Sequence, residues 1–219
     1  MLKVAIFDSG WGGEMFADFV EQELATVEVI RVIDWRHAPY CRRKEAEVRG
    51  LMEQALKPYI GRVSVIVIAS NLASAVGLEY LRRKYPGQKF TGFEIGLTHR
   101  LQAKRIVVIT TRMVRKTKQY KKFLRKMDAR VMTVECDDWI SLIDDGEMTK
   151  EKIKEKLEET IKLSPEVAIF GCTHLNEEKK TIEKVLGWQT VVVDGYGEAF
   201  RGLCRELGLR GVDGKRRRG

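Results

Sequence analysis

Val63-Ser64-Val65-Ile66-Val67-Ile68-Ala69-Ser70-Asn71-Leu72-Ala73-Ser74-Ala75 joins a near-continuous apolar run to a polar pair and then to a helix-compatible stretch. A strand that is apolar at successive positions, not only at alternate ones, is buried on both faces, as in a parallel sheet covered by helices. Ser70 and Asn71 stand where that strand ends and a helix begins. Their side chains suit either binding a carboxylate or capping the open N–H groups of the first helical turn. The same alternation runs outward in both directions. Short β-branched runs read as strands over residues 3–7, 27–33, 63–69, 105–110, 130–134, 167–170 and 190–193. Amphipathic stretches read as helices over 14–25, 43–59, 72–84, 114–126, 150–163, 177–186 and 197–207. Such alternation implies βαβ units, hence an α/β fold with parallel sheets flanked by helices. Pro86-Gly87 marks a turn near the middle and reads as a boundary between two similar lobes.

The composition narrows the function classes. With 219 residues and 44% hydrophobic content the chain can fill one large core or two small ones. No apolar run approaches the roughly 20 residues of a membrane span, so no membrane partner is expected. The apolar start reaches Asp8 too soon for a signal peptide, and a cytoplasmic protein is expected. Cys41, Cys136, Cys172 and Cys204 form no CxxC pair, and with only His37, His99 and His174 no zinc spacing arises. Reduced thiols and no metal are the expectation. A charged fraction of 32% with asparagine only at Asn71 and Asn176 points to a thermophilic source.

The net charge of +9 is concentrated. Eight basic residues and no acid lie from Arg112 to Lys126, and Lys215-Arg216-Arg217-Arg218 adds four. Such patches attract nucleic acid. Here, however, Val114, Thr117, Tyr120 or Lys121, Leu124 and Met127 recur at helical spacing, which turns the basic residues to a solvated face. Nucleic acid is therefore not an expected partner.

Ligand groups in open parallel sheets gather at the carboxyl ends of strands. Asp8-Ser9-Gly10-Trp11-Gly12-Gly13, Ser70-Asn71, Thr110-Thr111 and Gly171-Cys172-Thr173-His174 all occupy such ends. The first is a Gly-rich loop without the GxGxxG or GxxxxGK[ST] spacing of nucleotide sites. Asp8 in it suits an ammonium group or an accessory acid. Cys172 carries the sharper signal: a helix N-terminus and the His174 imidazole both favour a thiolate, a base or nucleophile. No Gly-x-Ser-x-Gly elbow surrounds Ser70, so a serine hydrolase is not supported.

Taken together, Phe7-Asp8-Ser9-Gly10-Trp11-Gly12-Gly13, Pro39-Tyr40, Ile68-Ala69-Ser70-Asn71-Leu72-Ala73-Ser74-Ala75 and Gly171-Cys172-Thr173-His174 resemble the aspartate/glutamate racemase family, and its glutamate racemase branch most. Asp34 before Pro39-Tyr40 and Asp194 near the closing strand fit as well, and the resemblance runs from Lys3 to Phe200. It implies two similar α/β lobes with the active site in the cleft between them, the first formed by residues 1–92 and 194–219 and the second by 93–193. It implies an isomerase that needs no cofactor or metal, moves a proton between two cysteine thiols, acts on a small acidic amino acid or dicarboxylate, and commonly forms a homodimer. Cys172 would be one thiol, with His174 and Asp8 as accessory groups. Ser9, Asn71 and Thr173 would contact the amino-acid head group, and Pro39, Tyr40 and Cys41 the side-chain carboxylate end.

The chain departs from that pattern where it matters chemically. Ser70 stands in place of the family's other catalytic cysteine and Leu72 in place of a threonine that contacts substrate. Cys41 replaces a glycine, Val114 falls where a threonine is common, and Asp144 or Asp145 lies where a glutamate is expected. An alcohol is a far poorer base than a thiol. Three readings are open: a racemase altered at Ser70, natively or by engineering; a one-thiol decarboxylase or isomerase of the same superfamily; and a non-catalytic binding homologue.

Overall fold

The computed structural model describes residues 1–95 and 102–209. His99 and the basic tail at 215–218 lie outside the described residues. In chain order the elements are β1 (Leu2–Asp8), α1 (Trp11–Glu23), β2 (Val27–Ile33), α2 (Glu45–Leu56), β3 (Val65–Ile68), α3 (Asn71–Lys84), β4 (Phe90–Gly92), β5 (Arg105–Thr110), α4 (Arg112–Lys116), α5 (Lys118–Lys126), β6 (Arg130–Glu135), α6 (Asp137–Asp144), α7 (Lys150–Lys156), α8 (Glu158–Leu163), β7 (Val167–Gly171), α9 (Lys179–Leu186), β8 (Val191–Val193) and α10 (Tyr196–Leu207). The strands form two four-stranded parallel sheets, ordered β2-β1-β3-β4 and β6-β5-β7-β8. The chain divides into two compact units: Met1–Glu94 with the segment from Tyr196 onward, and Ile95–Gly195. No helix among the described residues is long and apolar enough to cross a membrane.

The first sheet is built from strands apolar on both sides. Val4, Ala5, Ile6 and Phe7 of β1 and all four residues of β3 are fully buried. Since successive side chains point to opposite faces, Val4, Ile6, Val65 and Val67 line one face, where Phe16, Ala17 and Val20 of α1 cover them. The same cluster takes in Ala199, Phe200 and Leu203 of α10, which brings the end of the described chain back to the first unit. The second sheet repeats the plan, with Ile106, Val107, Val108 and Ile109 of β5 fully buried at its centre.

Several sequence expectations need correction, among them the single helix over 150–163, which is two helices, α7 and α8. Pro86-Gly87 is not a boundary between units, because β4 comes after it and pairs with β3 through Ile66↔Phe90, Val67↔Thr91 and Ile68↔Gly92. β4 has only three residues, too few to show a period. The helix α6, unforeseen in the sequence, turns Trp139, Ile140 and Ile143 inward. The Gly-rich stretch after β1 is mostly helix already, since α1 begins at Trp11. Finally, the single helix expected over 114–126 is broken at Thr117, whose hydroxyl donates to Val114 O at 2.7 Å and accepts from Tyr120 N–H at 3.1 Å. That break changes the phase, so Tyr120 and Phe123 face inward while Leu124 is exposed. The eight basic residues from Arg112 to Lys126 are all exposed.

Candidate active site

In the first unit, Asp8 and Ser70 lie at the same end of adjacent strands, just past the pair Phe7↔Ile68. Ala69 N–H donates to Phe7 O at 2.7 Å and closes this end. Asp8 is 1% exposed, and its Oδ1 accepts from Ser9 N–H at 2.6 Å. Helix α1 approaches Asp8 closely because Gly13 carries no side chain: a Cβ there would stand 2.4 Å from Asp8 Cβ and 2.8 Å from Ile33 Cδ1.

Ser70 caps α3 with its hydroxyl oxygen, which accepts from Ala73 N–H at 3.4 Å. Its neighbour Asn71 is buried, and Asn71 Oδ1 has no hydrogen-bond partner among the described residues. A buried carbonyl oxygen left unpaired costs about 1–3 kcal/mol, so Asn71 is a ready acceptor for a ligand N–H. Leu72 is buried beside them as an apolar group. Ser74, to which the sequence assigned no role, ties the end of the sheet together. Its hydroxyl donates to Ile68 O at 2.9 Å and accepts from Phe93 N–H at 3.0 Å.

Tyr40 joins this group through Asp34, whose N–H donates to Asp8 O at 2.9 Å. The Tyr40 hydroxyl donates to Asp34 Oδ2 at 2.7 Å, and His37 Nδ1 lies 2.7 Å from Asp34 Oδ1. Burial, then the hydrogen bond to Asp34 and the charges of Asp34 and Asp8, push the Tyr40 phenol well above its ordinary range. Its one O–H is thus committed to Asp34. Pro39 and Cys41 flank it, with Cys41 half-buried in a short 3₁₀ helix at Tyr40–Arg42.

In the second unit, β7 ends at Gly171, and Cys172, Thr173 and His174 are buried together just beyond it. The chain then makes only a short 3₁₀ helix at Thr173–Asn176, with α9 starting later at Lys179. Cys172 therefore lacks the full helix N-terminus expected to polarise it. Individual donors act instead. The neighbouring Cys136 thiol is the largest influence and holds the Cys172 thiol well below its ordinary range, against the opposing effect of burial. The side chain, charge and backbone N–H of His174 act in the same direction. His174 Nδ1 lies 3.9 Å from Cys172 Sγ, and its Nε2 lies 3.7 Å from Asp144 Oδ1 on α6. Of the two aspartates considered at that point, Asp144 is the one paired with His174. Cys136 was not singled out from the sequence, although it comes after β6 as Cys172 comes after β7.

The candidate residues thus form two groups, one at the carboxyl end of each unit's sheet. Asp8, Ser9, Ser70, Asn71 and Leu72, with Tyr40 attached through Asp34, belong to the first unit. Cys172, Thr173 and His174 belong to the second. The second group is a low-lying thiol with an imidazole, equipped to take a proton. The first offers hydroxyl, amide and carboxylate groups suited to an amino acid's charged head.

Comparison with known proteins gives a consistent result. No family profile matches the chain. A glutamate racemase of Aquifex aeolicus is 32% identical over 198 residues, covering 87% of this chain and 78% of that protein. The solved glutamate racemase of Aquifex pyrophilus is 28% identical with a TM-score of 0.75, covering 93% of this chain and 83% of that one. The Escherichia coli glutamate racemase, solved with L-glutamate and the activator UDP-MurNAc-Ala, has a TM-score of 0.84 at 23% identity, over 94% of this chain and 82% of that one. At that identity the last likeness speaks for the fold.

Proposed function

Because the chain belongs to the aspartate/glutamate racemase family, we propose that it moves the α-proton of a small acidic amino acid, glutamate first, with Cys172 as the thiol that takes it. The carrying observation is the Cys172–His174 pair, a buried thiol held low with an imidazole nitrogen 3.9 Å from its sulfur. A thiolate removes the α-proton and becomes a thiol, while the electron pair spreads into the substrate carboxylate. Donors placed around that carboxylate lower the barrier as charge develops there. Ser9, Asn71 and Thr173 are assigned to the head group, the unpaired Asn71 Oδ1 to its ammonium N–H. Asp8 and His174 serve as accessory groups, and Pro39, Tyr40 and Cys41 mark the side-chain end. No cofactor is needed for this proton traffic.

Ser70 makes the two faces of the α-carbon unequal. Its O–H would have to supply the second proton and be left as an alkoxide, a much less stable anion than a thiolate. Returning the proton from Cys172 restores the starting configuration, so exchange should outpace inversion. The test incubates the protein with L- or D-glutamate, and separately with aspartate, in deuterated water. Proton NMR tracks loss of the α-proton, and chiral chromatography tracks inversion. Faster exchange than inversion is expected; no exchange with any of these amino acids, although they bind, would overturn the reading.

A further inference from the structure

We propose that the exposed basic face of α4 and α5 is a docking surface for duplex nucleic acid, held through its phosphate backbone without regard to sequence. The surface belongs to the second unit alone and is independent of the reading of Cys172. Helical spacing by itself gave no reason to expect such a partner, because lysines on a helix ordinarily face water. The structure adds the pattern of ion pairs, and that pattern revises the expectation.

Elsewhere in the protein, basic residues on helices have acids within reach. Arg49 meets Glu45 at 3.1 Å, Arg82 meets Glu79 at 3.0 Å and Lys162 meets Glu159 at 2.7 Å. On α4 the acid is Glu135 of β6, which takes Arg112 at 3.0 Å and Arg115 at 2.7 Å. The remaining six exposed cations, Lys116, Lys118, Lys121, Lys122, Arg125 and Lys126, make no ion pair among the described residues. Asp128, the next acid along the chain, is turned to Lys104 at 2.8 Å.

This arrangement works against the helix that carries it. Lys118 and Lys122, Lys121 and Arg125, and Lys122 and Lys126 are like charges one turn apart, which repel. Lys118 also opens α5, the end of a helix that disfavours a cation. Tyr120 and Phe123 are buried on the other side of α5 and fix its basic face outward. A polyanion laid on that face supplies the missing negative charge and relieves the repulsion.

The residue types choose among polyanions. Five of the six cations are lysine, a compact charge without the planar fork that grips a carboxylate at two points. That favours phosphate over an acidic protein segment. The aromatic rings of α5 are both buried, so the stacking platform used to hold single strands is missing. Lys118, Lys122 and Lys126 run about 12 Å along α5, a length over which each strand of a duplex carries about four phosphates.

The test is fluorescence anisotropy of a labelled duplex of arbitrary sequence, titrated with the full chain between about 50 and 200 mM salt. Six phosphate contacts should weaken binding about a thousandfold across that range. Replacing Lys118, Lys121, Lys122 and Arg125 together by glutamine should cut the loss to about tenfold, with weaker binding at low salt and unchanged α-proton exchange. A control removes the same charge from paired lysines: Lys3→Gln, Lys104→Gln, Lys152→Gln and Lys162→Gln in one protein. It should keep the wild-type salt dependence. No binding by the wild-type protein, an unaltered salt dependence in the α5 variant, or an equal change in the control each overturns the proposal. Poly-glutamate or vesicles of anionic phospholipid that bind this face as tightly as the duplex overturn nucleic acid as its partner.

Discussion

Gly171→Ala should destabilise the second unit and disturb Cys172 together. The constraint is space, because β7 is packed against the end of β5. An added Cβ at Gly171 would lie 2.5 Å from Thr110 Oγ1, 2.6 Å from Thr110 Cβ and 3.1 Å from Ile95 Cδ1. Ordinary contact begins at 3.4 Å, so the β5 and β7 ends must part by about 0.9 Å, steep on the repulsive side of the van der Waals curve. Thr110 and Gly171 are both buried, so neither can swing into solvent. Overpacking of this kind costs about 1–3 kcal/mol. It also strains the Thr110 Oγ1–Gly171 O hydrogen bond, itself worth about 0.5–1.5 kcal/mol. Urea unfolding of Gly171→Ala, with Thr110→Ala as the control that loses the bond without the clash, separates the two contributions. Alkylation of Cys172 in the same proteins reports the local disturbance. A Gly171→Ala protein that unfolds at the wild-type urea concentration and alkylates at the wild-type rate would refute the packing argument.

The same geometry fixes three further outcomes. Ser74→Ala removes both a donor to Ile68 O and an acceptor for Phe93 N–H in a buried setting, and urea unfolding should show a loss of about 1–3 kcal/mol. Glu53 is held down at about 2, from 4.5, first by Lys84 and then by Tyr80 and Tyr85. A carboxylate lowered on folding stabilises above its unfolded value and loses that contribution as pH falls toward the folded one, so Glu53→Gln should flatten the stability profile between those two values, as read by urea unfolding at each pH. Ser70→Cys should narrow the gap between exchange and inversion, and Ser70→Cys with Leu72→Thr should narrow it further, as measured by chiral chromatography. No change in either variant would exclude Ser70 from the position of the second proton donor.

Much of the fold was legible because apolar runs such as Val65–Ile68 and the four apolar residues from Ile106 to Ile109 leave little choice but buried parallel strands. What escaped had physical reasons. β4 is too short to display a period, and only its pairing with β3 makes it a strand. The break at Thr117 depends on one hydroxyl satisfying both a carbonyl and an N–H, which helical spacing of apolar residues does not reveal. In the site, Ser70, Asn71 and Cys172 were visible as polar residues at strand ends. Cys136 and Thr110 matter through a register across three strands, and that register is a tertiary fact. The helix-terminus account of Cys172 failed for a local reason: a 3₁₀ turn at Thr173–Asn176 separates Cys172 from the helix α9.

The most direct test of the central claim is α-proton exchange by the Cys172→Ala protein. With glutamate in deuterated water, wild-type protein should lose the α-proton signal, and folded Cys172→Ala should not. At about 1.4 kcal/mol of barrier for each tenfold in rate, replacing the base by a methyl group should remove exchange from the measurable range. Undiminished exchange in Cys172→Ala would contradict the account and place the base elsewhere.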